Sequence, residues 1–151
     1  MFHFERTITL PIELEKAWDF FSNPKNLSKI TPDELGFKII SDLHKGPMYS
    51  GMIIKYKVSP ILNIQMTWVT EITHVEHEKY FVDEQRVGPY SVWHHQHHFE
   101  KVDGGVKMTD IVHYKLPLGF LGKLVEPLIV RPKLEQIFNY RTQVISEVFG
   151  V

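Results

Sequence analysis

The chain contains no cysteine. That excludes a disulfide scaffold, a thiolate nucleophile and a cysteine-ligated zinc site. Excess charge of either sign is also missing: 17 Lys and Arg oppose 18 Asp and Glu, and the formal net charge is −1. No basic field for nucleic acid follows from that balance. No apolar run approaches the ~20 residues of a membrane-spanning helix. The opening residues, Met1-Phe2-His3-Phe4-Glu5-Arg6, lack the charged, apolar and small-residue regions of a signal peptide. The expectation is a cytoplasmic protein with no nucleic-acid partner and no stable membrane insertion. Internal repeats, low-complexity tracts and linkers are absent too, so residues 1–151 read as a single domain.

What the chain does have is apolar residues at 43%, aromatics at 13%, and nine histidines. The first two suffice for a sizeable core. Phe2, Phe4, Ile8 and Leu10 alternate with polar residues, with Arg6 on the apolar side, and predict an opening strand that ends at Pro11. Leu14, Ala17, Trp18 and Phe21 then fall at helical spacing, giving a short helix over about 13–22. Asn23-Pro24 starts a second short helix over 24–30. Strands follow: 37–41, 52–58, a long one from Ile64 to Ile72, and 80–87, with His74 to Glu78 read as a turn. From about Gly119 to Phe149 the pattern is helical. Its apolar stripe is Leu134, Ile137, Phe138, Arg141, Val144, Ile145 and Val148, and Pro127 and Pro132 predict a kink or break in its first half. The stretch before it, Pro117 to Gly122, is apolar and rich in glycine. Short turns between strands imply an antiparallel sheet, and only the last helix is long enough to cover it. The expected fold is α+β: a strongly curved seven-stranded antiparallel sheet wrapped round a long C-terminal helix, with two short helices after the first strand.

Five of the nine histidines lie between His94 and His113. Four fall within His94-His95-Gln96-His97-His98, which at first sight suggests a metal centre. Strand alternation divides them. Trp93, His95, His97 and Phe99 share the face bounded by aromatics, which reads as inward; His94 and His98 point out, as does His113 on the next strand. Asp103-Gly104 is a tight-turn signal. With a two-residue turn there, His97 faces Asp110, His95 faces Val112 and Trp93 faces Tyr114. A longer loop would shift the register by one and turn Asp110 outward. His95 and His97 supply only two ligands for a metal, with Asp83 or Asp110 as possible thirds, so no metal is expected. An inward Asp110 could orient an imidazole as a general base or simply satisfy a buried polar pair. Asp83 and Gln85 share a face with Phe81; a buried Asp83 needs a partner, for which His95, His97 and Arg141 are the candidates. Arg141 either enters the interior or carries its head to solvent. Trp68, Trp93, Tyr56 and Tyr114 are core or pocket wall.

Several stretches together resemble the START, birch-pollen-allergen and polyketide-cyclase superfamily, often called SRPBCC. They are Asn26-Leu27 with Ile30-Thr31-Pro32 and Gly36-Phe37; Phe81-Val82-Asp83-Glu84-Gln85 with Gly88-Pro89-Tyr90; Trp93-His94-His95 with His97 and Phe99; and Gly104-Gly105, Thr109-Asp110, Val112 and Tyr114. Leu116-Pro117-Leu118-Gly119, Ile137-Phe138 and Tyr140-Arg141 complete the set. The pattern is similar to a bacterial subgroup that also occurs attached to NAD-dependent epimerase-like domains; it departs at His98, where that subgroup tends to have Arg, and at His113, where it tends to be acidic. The resemblance implies a helix-grip fold with an internal, mostly apolar cavity for a lipid-like or aromatic small molecule, and no cofactor. The expected function is carriage or sensing of that molecule. Its polar end would be held among Asp83, Gln85, His95, His97, Asp110, Tyr114 and Arg141, with Trp68, Trp93 and Phe138 as apolar wall. One alternative is a cyclase- or isomerase-type enzyme using His95, His97 and Asp110 for proton transfer. Another is a partner domain of an epimerase-like enzyme.

Overall fold

The computed structural model describes residues 1–43, 45–60 and 62–151. Strand β1 (Phe2–Leu10) is followed by helix α1 (Leu14–Phe21) and by two 3₁₀ segments, Pro24–Ile30 and Asp33–Leu35. Asn23 caps the first of these, its side-chain oxygen accepting from the Lys25 N–H at 3.1 Å. Six strands follow: β2 (Lys38–Ile39), β3 (Met52–Val58), β4 (Met66–Glu76), β5 (Tyr80–Val87), β6 (Val92–Val102) and β7 (Gly105–Lys115). The chain ends in α2 (Phe120–Val125), a π turn at Glu126–Val130, and α3 (Arg131–Phe149). The seven strands form one antiparallel sheet in the order β1-β7-β6-β5-β4-β3-β2. This is the helix-grip arrangement. Among the described residues no helix is long and apolar enough to cross a membrane.

Three local features differ from the sequence expectation. Strand β4 runs on to Glu76, and the turn is tighter, with Glu78 at φ 58° and the Lys79 N–H returning to the Glu76 carbonyl. The extension gives Val75 a place opposite Phe81 and against the core. The pairing of β4 with β5 shifts register twice, at Val69/Thr70 and Ile72/His74, the kind of irregularity that bends a strand locally. The irregularity expected from Pro127 and Pro132 is a wider π turn rather than a break: Pro127 opens the π turn, Pro132 sits in the first turn of α3, and the helix continues. Val148, expected in the buried stripe, is 48% exposed, while Ile145 one turn earlier is buried.

The core has two main parts. Phe4, Val58, Trp68, Tyr90, Val112, Tyr114 and Phe138 belong to one, and Trp18, Phe81, Phe99, Met108 and Ile145 to the other. Trp18 meets Phe81 and Phe99 edge-on at 6.1 and 5.4 Å, which anchors α1 over one end of the sheet. The β6–β7 hairpin joins the two parts. Its last pair is Val102 with Gly105, so Asp103-Gly104 is the two-residue turn. Gly105 is required by space: a Cβ there would lie 2.0 Å from the Leu10 carbonyl oxygen, where the end of β1 crosses.

Candidate ligand-binding site

The register of the hairpin decides the site. His97 pairs with Asp110, His95 with Val112, Trp93 with Tyr114 and Phe99 with Met108, as the two-residue turn requires. Asp83 of β5 sits opposite His95. Inward alternation on three adjacent strands therefore brings Asp83, His95, His97 and Asp110 together, with Arg141 of α3 above them.

The four sheet residues form a closed ring of contacts. His95 Nε2 lies 2.8 Å from Asp110 Oδ1, and His97 Nδ1 lies 3.0 Å from the same oxygen. His97 Nε2 lies 2.7 Å from Asp83 Oδ2. His95 Nδ1 faces that Asp83 oxygen at 3.6 Å, beyond hydrogen-bond length. The Arg141 guanidinium approaches Asp110 at 3.9 Å and lies over the Phe138 ring at 4.8 Å. Aromatic residues hold the ring of contacts from both sides: His97 stacks on Phe81 at 4.2 Å, and His95 meets Phe138 at 5.9 Å. The polar cluster thus sits at the junction of the two core parts.

Electrostatics sort the two histidines. Burial pushes the His97 imidazole down, but hydrogen bonds to Asp110 and Asp83 outweigh it and hold its pKa above the ordinary value. With a carboxylate facing each ring nitrogen, at 2.7 and 3.0 Å, His97 is the imidazole placed to serve as the cation of the cluster. Burial and the neighbouring His97 hold His95 below its ordinary value, against the pull of Asp83 and Asp110, so His95 is neutral. Burial raises both carboxyls, yet their contacts with His95 and His97, and at Asp83 the Arg141 charge, bring each to a net depressed pKa. Two carboxylates are balanced by His97 and Arg141, and the ensemble carries no net charge. That balance is what permits the four charged groups to be held largely out of water. Asp83, His95 and His97 also present ligand atoms within 4.8 Å of one another, a two-histidine, one-carboxylate donor set that could hold a metal. Those atoms already face one another, and a cation there has to displace the His97 proton.

A cavity of about 180 Å³ opens beside the cluster, between sheet, 3₁₀ segments and α3. Of the residues singled out from sequence, Trp68, Asp83, Trp93, His95, His97, Asp110, Phe138 and Arg141 line it. Gln85 and Tyr114 do not, which corrects their expected place at its polar end. The Gln85 amide is bonded to the Tyr90 backbone in both directions, donating to the carbonyl at 2.7 Å and accepting from the N–H at 3.0 Å. It clamps the Gly88-Pro89 corner. Tyr114 is fully buried and donates its hydroxyl to the carboxylate of Glu126, which also accepts from Arg131 Nε at 2.9 Å. His94 and His98 lie on the opposite face, as expected, bonded to Glu84 and Gln96.

Two cavity residues carry an unsatisfied group. Trp68 Nε1 and Arg141 Nε are buried and have no hydrogen-bond partner among the described residues. Buried N–H groups are nearly always paired, so both are waiting donors in the cavity wall. Sequence reasoning gave little weight to Arg6, which lines the cavity as well and donates to Asn139 Oδ1 at 2.8 Å. Its only signal was a cation on the apolar side of β1. The Tyr114–Glu126–Arg131 group was missed altogether; a carboxylate four residues after Gly122 and four before Val130, on the packed side of the turn, was the available clue.

No protein-family model matches the chain, and no curated protein matches it. Its fold is similar to several solved structures. Protein Ms6760 from Mycobacterium smegmatis superposes with a TM-score of 0.70 at 14% identity, covering 98% of this chain and 90% of that one. TTHA0849 from Thermus thermophilus gives 0.65 at 13% identity, over 96% and 94% of the two chains. Ara h 8.0201 gives 0.60 at 18% identity, over 96% and 98%. At these identities the likeness is one of fold, the curved antiparallel sheet with its C-terminal helix.

Proposed function

We propose that this domain binds a compact, mostly apolar small molecule bearing hydrogen-bond acceptor oxygens, as a carrier or sensor. The observation that carries the reading is the pair of buried, unpartnered donors, Trp68 Nε1 and Arg141 Nε, on the wall of a cavity that is mostly apolar away from the charge cluster. A carbonyl, phenolate or carboxylate oxygen would satisfy each. Because the charge cluster is already neutral, an acceptor with partial or full negative charge is stabilised by Arg141 without leaving a carboxylate unpaired. Size is limited: a cavity of about 150 Å³ admits benzene, so about 180 Å³ suits a one- or two-ring compound. The test is native mass spectrometry of gently purified protein, then organic extraction and identification of the adduct. An oxygenated ring compound that is lost in Arg141→Met, with the fold intact, supports the reading. A bound species lacking acceptor oxygens, or unchanged occupancy in Arg141→Met, overturns it.

A second reading is favoured by His95. It is neutral, its Nε2–H is held by Asp110, and its Nδ1 lies 3.6 Å from Asp83, too far for a hydrogen bond. That is the arrangement of a general base oriented by a carboxylate. In a cyclase- or isomerase-type step, Nδ1 would take a proton from the carbon next to a carbonyl. The C–H electron pair would pass to the carbonyl oxygen as an enolate, stabilised by Arg141. The ligand found by extraction is then the substrate to test: His95→Gln that binds it normally but slows α-proton exchange about 10²–10⁴-fold supports catalysis, and unchanged exchange removes it.

A further inference from the structure

We infer that the segment from Lys115 to Lys133 docks on an anionic lipid surface. The helical part of this segment is turned inside out. Gly122, Glu126 and Val130, spaced by four, are buried against the domain, while Phe120, Leu121, Leu124, Leu128 and Ile129 are exposed. Phe120 is 71% exposed, Leu124 61% and Leu128 78%; Leu118, just before, is 75% exposed. Local packing enforces this orientation. A Cβ on Gly122 would lie 2.8 Å from the Pro117 carbonyl and 2.9 Å from Leu116 Cβ, so only glycine fits that face. Glu126 is tied to Tyr114 and Arg131. Rotating the leucines inward would break both arrangements. Apolar side chains gathered this way mark an interaction site rather than ordinary surface.

Charge selects the occupant. Between Lys115 and Lys133 the only carboxylate is Glu126, and it is buried. Lys115 and Lys123 are exposed, and among the described residues neither has an ion-pair partner. They flank an apolar groove lined by Met1, Phe2, Leu116 and Phe120. Leucine and phenylalanine exposed beside the unpaired Lys115 and Lys123, with no exposed acid within the segment, is the chemistry of a segment lying in the headgroup region of an acidic bilayer; Lys133, at its far end, is paired with Glu34 at 3.5 Å. Val130, which directly follows Leu128 and Ile129, lines the ligand cavity. The docking surface stands on its own exposure; its use, passing an apolar ligand between bilayer and cavity, rests on the ligand-binding reading above.

The test is co-sedimentation of the full chain with vesicles of phosphatidylcholine alone and with one-third phosphatidylglycerol, at low and physiological salt. Binding to the anionic vesicles, weakened by salt, is expected. Leu124→Asp/Leu128→Asp should abolish it, and Lys115→Gln/Lys123→Gln should weaken it about thirtyfold, at roughly a factor of five per lysine. Circular-dichroism melts confirm that these surface variants fold. Absence of sedimentation, equal binding to neutral vesicles, or insensitivity to the lysines overturns the proposal. So does a concentration-dependent dimer that Leu124→Asp dissolves without any vesicle binding, which would assign the face to a second copy of this chain. Arg141→Met keeps the two readings apart: it should lose the ligand and keep vesicle binding, so each can fail alone.

Discussion

Replacing Asp110 with Asn tests the electrostatic account of the site at its centre. Asp110 is 8% exposed, and one of its oxygens receives His95 Nε2 at 2.8 Å and His97 Nδ1 at 3.0 Å. Asn preserves the shape and removes the charge. What remains is a largely buried His97 cation with Asp83 alone, and an Arg141 left with only the more distant Asp83 carboxylate. Removing one partner of a buried ionic group costs about 3–5 kcal/mol. For a domain of this size that is a fall in Tm of roughly 6–20 °C. The pH dependence has a definite sign. The depressed Asp110 contributes stability that is complete above its unfolded pKa of about 3.9 and fades as pH drops toward the folded value. The raised His97 contributes stability that is complete below about pH 6.5 and is lost as pH rises through its folded value. His95, held neutral, works against stability below about pH 6.5 in both proteins and largely cancels. The gap between wild type and Asp110→Asn is therefore widest from about pH 4 to 6.5 and narrows on either side. Urea melts at pH 3, 5.5 and 9 measure it, and imidazole NMR titration should show the His97 pKa falling in the variant as burial wins. A loss below about 1 kcal/mol at pH 5.5, or an unmoved His97 titration, would refute the reasoning.

Tyr114→Phe removes the donor from a buried carboxylate, leaves Glu126 with Arg131 alone, and should cost about 1–3 kcal/mol in urea melts. Ligand occupancy should not change, because Tyr114 is not on the cavity wall; a loss of ligand with unchanged stability would contradict its placement. Gly105→Ala drives a methyl against the Leu10 carbonyl and should cost about 3 kcal/mol or more; a near-neutral result would mean that β1 and the hairpin turn separate easily. Because zinc has to displace the His97 proton, adding it at pH 7 should leave Tm unchanged. A rise of several degrees would show a cation site made by Asp83, His95 and His97.

Much of the site was legible in the sequence because strand geometry is discrete. Side chains alternate with period two, and a two-residue turn leaves only one register. Those facts place His95, His97 and Asp110 on one face, and a buried Asp83 then demanded a partner that the histidines supply. Gln85 and Tyr114 failed for a different reason. Alternation says that a residue points inward, not how far down the sheet it lies or what it meets there. Gln85 is next to a glycine-proline corner that needs its backbone groups satisfied, and Tyr114 is at the end of the sheet where Glu126 descends. Neither neighbour is readable from periodicity. The inverted α2 was illegible for a related cause: helical spacing of apolar residues reports an apolar face, but whether that face is packed depends on what the opposite face must do. Here Gly122 and Glu126 take the buried side, and the leucines are left outside.

A neutral, closed charge network at the end of an apolar cavity has a consequence for selectivity. Each carboxylate oxygen engaged in it is bonded to or faced by a cation or an imidazole, so a cationic ligand finds no uncompensated anion to pair with. An acceptor finds Arg141 Nε and Trp68 Nε1 already desolvated and already positioned, since their surroundings are fixed by the sheet and by Phe138. The free-energy cost of burying those donors is borne by the unliganded protein, and a ligand that satisfies them recovers it. On the ligand-binding reading proposed above, a preference for oxygenated, neutral or anionic ring compounds over amines of the same size is expected from polar groups the unliganded fold leaves unpaired, and not from the shape of the cavity alone.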